Sequence, residues 1–267
     1  MKVVVCIKQV PASNRVAADP VTHHLMREKS DHVINPADLN ALEAAFLLKE
    51  ALESSDTACE ITALSMGPPD AEEALREAVS RGADEACLLS DRLFAGSDTI
   101  ATAAVLMAGV RYLGTPDLIL TGAESSDGAT GQIAPMLAES LGLPHVTNVC
   151  EIETCLQSGL TVRKHFRRSD VRLRIDGPAV LSVGYGCNEP RLPTLRSKML
   201  AKKKAVRILT NKDLLLPENG VGAAGSPTEV TDSFSPENKG SCAWMQGDAA
   251  QVAEQILSLI KKEMCDK

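Results

Sequence analysis

At 267 residues, 44% hydrophobic and 24% charged, the chain has the make-up of a globular protein with volume for a genuine core, as one large domain or one domain plus an arm. A net charge of −7 and a pI near 5.3 deny it the basic field that recruits nucleic acid, and 3% aromatics leave few platforms for stacking bases. No stretch approaches the roughly 20 apolar residues of a membrane span, and the opening run is broken by Lys8 and Gln9 before it reaches signal-peptide length. The expectation is a cytoplasmic protein whose core is packed from Val, Leu, Ile, Ala and Met.

Val3 to Ile7 is a continuous, mostly β-branched run that predicts a strand buried on both faces. Residues 11 to 33 are polar and irregular, with a hairpin predicted around Thr22 to Met26. Asn35-Pro36 opens a helix, with Asn35 as cap, Pro36 at the first position and Asp38 in the first turn. Strand Ile61 to Leu64, a turn through Met66-Gly67-Pro68, and helix Asp70 to Arg81 follow. The alternation continues through strand Glu85 to Leu89, an Asp98-capped helix Thr99 to Tyr112, strand Pro116 to Thr121, loop Gly122 to Thr130 and helix Gly131 to Leu141. Four strand–helix alternations about 30 residues apart predict an α/β fold with a doubly wound, mainly parallel sheet.

After Pro144 the pattern changes. Val146 to Thr154, Leu160 to Phe166 and Val171 to Ile175 read as consecutive strands forming an antiparallel extension, and Ala179 to Val183 as one more buried strand. The nucleotide-binding α/β domain is placed at 1–208, and an arm with a C-terminal helix at 209–267. The arm is too long for an ordinary internal loop. The helix, capped by Asp248 and carrying Val252, Ile256, Leu259 and Ile260 on one face, either packs back on its own domain or lies on a partner; the length of the arm favours the partner.

Eight cysteines, at 6, 59, 87, 150, 155, 187, 242 and 265, form no C-x-x-C and no metal-site spacing, so they read as buried free thiols. His23, His24, His32, His145 and His165 have no nucleophile pattern beside them. No G-x-S-x-G or H-E-x-x-H sequence occurs, the stretch from Gly122 to Gln132 is neither G-x-G-x-x-G nor Walker A, and no catalytic residue is assigned.

In an open parallel sheet, ligands sit at the carboxyl ends of the strands. The most informative of those ends is Gly122 to Ile133, where small residues precede a helix N-terminus. Glycines let backbone N–H groups approach phosphate oxygens, and Thr130 with Ser125 or Ser126 can add hydroxyl donors. The same stretch is also compatible with a plain βα connection. A second oddity is Asn188 to Lys204, two prolines and then a short basic helix presenting Leu192, Leu195 and Met199 among positive charges. It reads either as a solvated basic turn or as an apolar docking anchor ringed by steering charges.

In order and spacing, VVVCIKQVP (3–11), INPADLNALEAAFLLKE (34–50), LSMGPPDA (64–71), GADEACLLSD (82–91), the stretch 116–144 and NEPRLPTLRSKMLAKKK (188–204) resemble the electron-transfer flavoprotein beta subunit over essentially the whole chain. The resemblance implies a heterodimer with an alpha subunit that carries a FAD, and a nucleotide in this chain, either AMP or a second FAD. It places that nucleotide against Cys6, Asn35, Pro36, Ala37, Asp38, Met66, Gly122, Ser125, Asp127, Gly128, Ala129, Thr130, Gly131, Gln132 and Ile133. It also implies a docking element around Leu195, with Arg191 and Met199, for an acyl-CoA dehydrogenase.

The sequence Asp127-Gly128-Ala129-Thr130 is similar to the electron-bifurcating, FAD-binding branch, as is the segment from Gly225 to Val230 with Ser233 to Pro236. Ala129 and Gly131 depart from that branch's usual Asp and Ala, and NEPR is closer to the ordinary AMP-binding carriers. Bifurcation implies that NADH delivers hydride to the beta-bound FAD. One electron then passes through the alpha FAD to the dehydrogenase and the other to a low-potential acceptor such as ferredoxin. A non-redox adenine-nucleotide module is the alternative from another class.

Overall fold

The computed structural model describes residues 1–12, 17–18, 25–26, 32–155, 159–166, 169–229, 231 and 244–265. The chain divides into two units, Met1–Glu229 and Val230–Lys267.

In the first unit the main strands are β1 (Lys2–Cys6), β6 (Glu60–Met66), β7 (Glu85–Leu89), β8 (Leu118–Gly122), β9 (His145–Cys155), β10 (Gly159–Phe166), β11 (Ser169–Ile175), β12 (Ala179–Val183) and β13 (Arg207–Leu209). They form one nine-stranded sheet in the order β11-β10-β9-β12-β8-β1-β6-β7-β13. In that order pairing is parallel from β9 to β13, and β10 is antiparallel to both of its neighbours, β9 and β11. This is the expected doubly wound architecture with its antiparallel extension.

Two small ladders lie outside the sheet. β2 (Gln9–Pro11) pairs with β5 (His32–Ile34), and β3 (Ala17–Ala18) pairs with β4 (Leu25–Met26), antiparallel in both cases. The hairpin expected at Thr22 to Met26 is seen only through β4; the rest of it, with His23 and His24, lies outside the described residues.

The helices of the first unit are α1 (Pro36–Glu53), α2 (Glu72–Arg81, after a 3-10 turn at Pro69–Ala71), α3 (Thr99–Leu113), α4 (Ile133–Leu141), α5 (Leu195–Lys203) and α6 (Asn211–Leu214). Alternate residues of β1 serve opposite faces, as period-2 geometry requires. Val3, Val5 and Ile7 join the core under α1 and α2, and Val4 and Cys6 join the core under α3 and α4. Phe46 and Phe94 are the aromatic side chains in these cores. Methionine was expected among the core residues, yet those near the core, Met1, Met66 and Met107, are only partly buried at its margin. Cys6, Cys59 and Cys87 are buried free thiols as expected, while Cys150 and Cys187 are only half-buried.

The first unit also takes in residues that the sequence reading gave to the arm. β13 closes the sheet edge against β7, and 3-10 turns at Glu218–Gly220 and Gly222–Gly225 bring the chain against residues 95–98. There the Ala223 N–H donates to the Ala95 carbonyl, and Thr228 Oγ1 donates to Asp98 at 2.9 Å. The division at 229 rather than 208 follows from these bonds, which lack sequence periodicity.

The second unit contains α7 (Ala249–Cys265), whose Asp248 Oδ1 accepts from the Gln251 N–H at 2.9 Å. Ile256, Leu259 and Ile260 are exposed on α7, and Trp244 ahead of it is 91% exposed. No helix among the described residues is long and apolar enough to cross a membrane.

Candidate functional site

The strand order runs β1-β6-β7 on one side of β1 and turns back to β8 on the other. The topological switch point therefore lies between the carboxyl ends of β1 and β8, where open α/β sheets leave a crevice for ligands.

The start of α1 spans that point. The expected side-chain cap from Asn35 does not form. Instead Asn35 Nδ2 donates to the Glu124 carbonyl at 2.9 Å, and its Oδ1 accepts from the Ser126 N–H at 3.0 Å. The Asn35 amide is thus committed to the loop after β8 and not to its own helix.

Asp38 likewise turns outward from its helix. Its carboxylate accepts from the Lys8 N–H at 2.8 Å and the Gly122 N–H at 2.9 Å, tying the ends of β1 and β8 together. Gly122 has to be glycine for this approach, since a Cβ there would stand 2.3 Å from Asp38 Oδ1 and 2.8 Å from Ala37. Burial pushes the Asp38 carboxyl up to about 7, against the lowering pull of Asn35, the two N–H donors and the Lys8 charge. Burial, helped by Asp38, pushes the Cys6 thiol up to about 12, so Cys6 is a soft wall and not a nucleophile.

The loop itself is open. Residues 126–132 are exposed, while Gly122 and Ser125 are half-buried. Asp127 is its only carboxylate beyond Glu124, and Lys8 Nζ neutralises it at 2.7 Å. Burial raises the Asp127 carboxyl, but the Lys8 ammonium and the Ser125 hydroxyl outweigh it and hold the group below its ordinary value. Ala129 and Gly131 are left-handed, with φ of 46° and 62°, and Gln132 is right-handed. Successive residues of opposite hand turn neighbouring N–H groups toward one side, the geometry of an anion nest. No side chain caps α4, so no capping side chain competes for the first N–H groups of that helix. Thr99 at the start of α3 meets Gln132 at 3.4 Å. Half-buried Met66, at the end of β6, stands across β1 from this loop.

The residues expected to hold a nucleotide thus lie at the carboxyl ends of β1, β6 and β8 and at the starts of α1 and α4. Asn35, Ala37 and Asp38 are buried there, while residues 127–132 are exposed and Ile133 is half-buried. Lys8, outside the expected set, holds the loop's acidic residue; its place after β1 was the only sign in the sequence. Among the described residues no His/Cys/Asp/Glu cluster has metal-site geometry.

The residues expected to dock a partner lie elsewhere. Leu195 opens α5, capped by Thr194 Oγ1 on the Ser197 N–H at 3.1 Å, and is 79% exposed. Leu192, Met199 and Leu200 are exposed with it. Arg191, expected on the same docking surface, points inward. Its guanidinium pairs with Glu43 at 2.8 Å and Glu50 at 2.6 Å and lies 5.1 Å over the Phe46 ring. Those carboxylates hold it firmly protonated, so its charge is spent within the domain.

The electron transfer flavoprotein domain matches residues 22–214 of the chain. The chain is 38% identical over 264 residues to the caffeyl-CoA reductase-Etf complex subunit CarD of Acetobacterium woodii, covering 98% of this chain and 99% of that one. It is 37% identical to the electron transfer flavoprotein subunit beta of Clostridium acetobutylicum, with 98% and 99% covered. It is 35% identical to the acryloyl-CoA reductase electron transfer subunit gamma of Anaerotignum propionicum, with 99% and 100% covered. The chain belongs to the electron transfer flavoprotein family, on the beta-subunit side.

Proposed function

We propose that this chain is the beta subunit of an electron-bifurcating electron transfer flavoprotein and holds FAD in the crevice between β1 and β8. The observation that carries FAD over AMP is the charge of the loop. Past Glu124 its one acidic side chain, Asp127, is neutralised by Lys8, and Gly128 to Gln132 add no charge and little bulk. A loop so built accepts a pyrophosphate without repelling it. The nest at Gly131-Gln132 and the uncapped start of α4 supply N–H donors for two phosphates, and Cys6 and Met66 supply soft apolar walls.

Asn35 and Asp38 fix where those donors stand. Lys8 to Pro11, beyond the end of β1, border the space for the ring system. When bound, the flavin supplies hydride acceptance from NADH and one-electron transfer. The protein's part is to position it, shield it and set its distance from the flavin of an alpha subunit. Leu195 and Met199 form the docking face for an acyl-CoA dehydrogenase, and ferredoxin is the second acceptor. The names of the Acetobacterium and Anaerotignum relatives, both tied to acyl-CoA reductases, favour this reading.

The test is to co-express the chain with its alpha subunit, extract nucleotides with acid and separate them. Two FAD per heterodimer with little AMP is expected. One FAD plus one AMP places the chain among ordinary carriers and removes bifurcation.

A further inference from the structure

The docking segment sets a physical problem. Leu192, Leu195, Met199 and Leu200 are all exposed, and within α5 only Ala201 is buried. A nine-residue helix is shorter than the ~12–15 residues at which isolated helices begin to hold, and so little burial adds little. Something other than apolar packing holds α5 in place.

That something is polar and grips both ends. At the base, the Arg191 N–H and guanidinium are held by Glu43, whose side chain is 7% exposed, while the Arg191 carbonyl accepts from Arg81 Nη1 at 2.6 Å. Just upstream, Asn40 and Asn188 exchange bonds: Asn40 Nδ2 donates to the Asn188 carbonyl at 2.8 Å, and Asn188 Nδ2 donates to the Asn40 carbonyl at 2.9 Å. At the far end, Arg76 Nη1 reaches the carbonyls of Ala201, Lys202 and Lys204 at 3.1, 3.1 and 3.2 Å. Glu72 and Glu77, one turn earlier on α2, brace Arg76 and Arg81 in turn.

Burying a carboxylate such as Glu43 is a poor way to gain stability, since an apolar pair of the same volume does as well. What a forked ionic contact supplies is a single geometry. We infer that Arg76 and Arg81 of α2, with the Glu43–Arg191 pair, form a clasp that presents α5 pre-ordered, so that these residues set the affinity for the docking partner without touching it. The inference rests on the docking reading of Leu195. It assigns the clasp the role of moving the ordering cost out of the binding step. The exposed face it presents is apolar with Arg196, Lys198, Lys202 and Lys203 around it, which suits an apolar pocket with an acidic rim.

Arg76 and Arg81 allow a test because both lie away from the crevice and from the exposed docking face. In the heterodimer, Arg76→Met/Arg81→Met is compared with wild type and Leu195→Ala, using a purified acyl-CoA dehydrogenase that exchanges electrons with the wild type. For the double variant the expected results are an unchanged flavin content, amide exchange over 195–203 faster by roughly tenfold, and a KM for the dehydrogenase raised by a similar factor at unchanged kcat. Leu195→Ala raises KM but leaves exchange alone. Arg76→Lys, which keeps a charge but cannot span three carbonyls, recovers little.

Wild-type exchange in the double variant, faster exchange at an unchanged KM, or full recovery by lysine each overturns the clasp. An unchanged KM in Leu195→Ala overturns the docking reading itself, whatever the arginine variants do.

Discussion

Replacing Leu195 by alanine separates a docking anchor from a core leucine by magnitude. Full burial of a leucine stabilises a fold by about 1.5–3 kcal/mol. With 79% of Leu195 exposed, the fold covers about a fifth of it, so Leu195→Ala should cost only about 0.3–0.6 kcal/mol. For a domain of this size that is a fall in Tm of about 1–2 °C. An anchor seated in a partner's pocket is worth about 2 kcal/mol or more on truncation, which raises the KM for the dehydrogenase roughly 30-fold. Calorimetry of the heterodimer and steady-state electron transfer to the dehydrogenase measure the two quantities on one preparation. A destabilisation of several kcal/mol, as for a buried leucine, or a KM within twofold of wild type, refutes the reasoning.

Two glycines of the loop should answer differently to a side chain. A Cβ at Gly128 meets only Ser125 Oγ, at 3.4 Å, so Gly128→Glu should fold normally while bringing a charge to the phosphate side and emptying the site. Gly122→Ala drives a methyl against Asp38 and Ala37 and should cost about 1–3 kcal/mol of stability. Normal nucleotide content in the first, or wild-type stability in the second, contradicts these roles. Asp38 predicts a pH dependence. Its carboxyl is raised from 3.8 to about 7, so the folded state holds the proton more tightly than the unfolded chain. The cost of ionising it grows as pH rises from about 4 through about 7 and is constant above. Relative to Asp38→Asn, the wild type should lose roughly 3 kcal/mol between pH 5 and pH 8 in urea unfolding; a difference that stays flat across that range removes the argument.

The alternation of strands and helices was legible because each element carries its own period, and Asp98 was legible as a cap because capping is local. It accepts from Ile100 and Ala101 at 2.9 and 3.0 Å, as read. The crevice was legible as a set of strand ends. What the sequence concealed is where side chains with two possible duties go. Asn35 and Asp38 looked like local helix-start residues and instead bind segments some 90 positions away. Arg191 looked like a member of a basic surface run and turned to Glu43, 148 positions earlier. β13 is three residues long and carries no period to read. Local physics fixes elements and caps, while long-range polar pairing is decided only once the sheet order brings α1 against both the β8 loop and the 186–191 segment.

The lone tryptophan has a practical consequence. Trp244 lies in the second unit and is almost wholly exposed, and the first unit contains none. Emission excited selectively at the indole is therefore a private signal of residues 230–267. Melting followed by that signal would be nearly blind to the loss of the nine-stranded sheet, which circular dichroism would record. Titrating a partner, however, would turn the same blindness to use. A blue shift would report that the C-terminal unit had been covered, with no background from the body that carries the crevice.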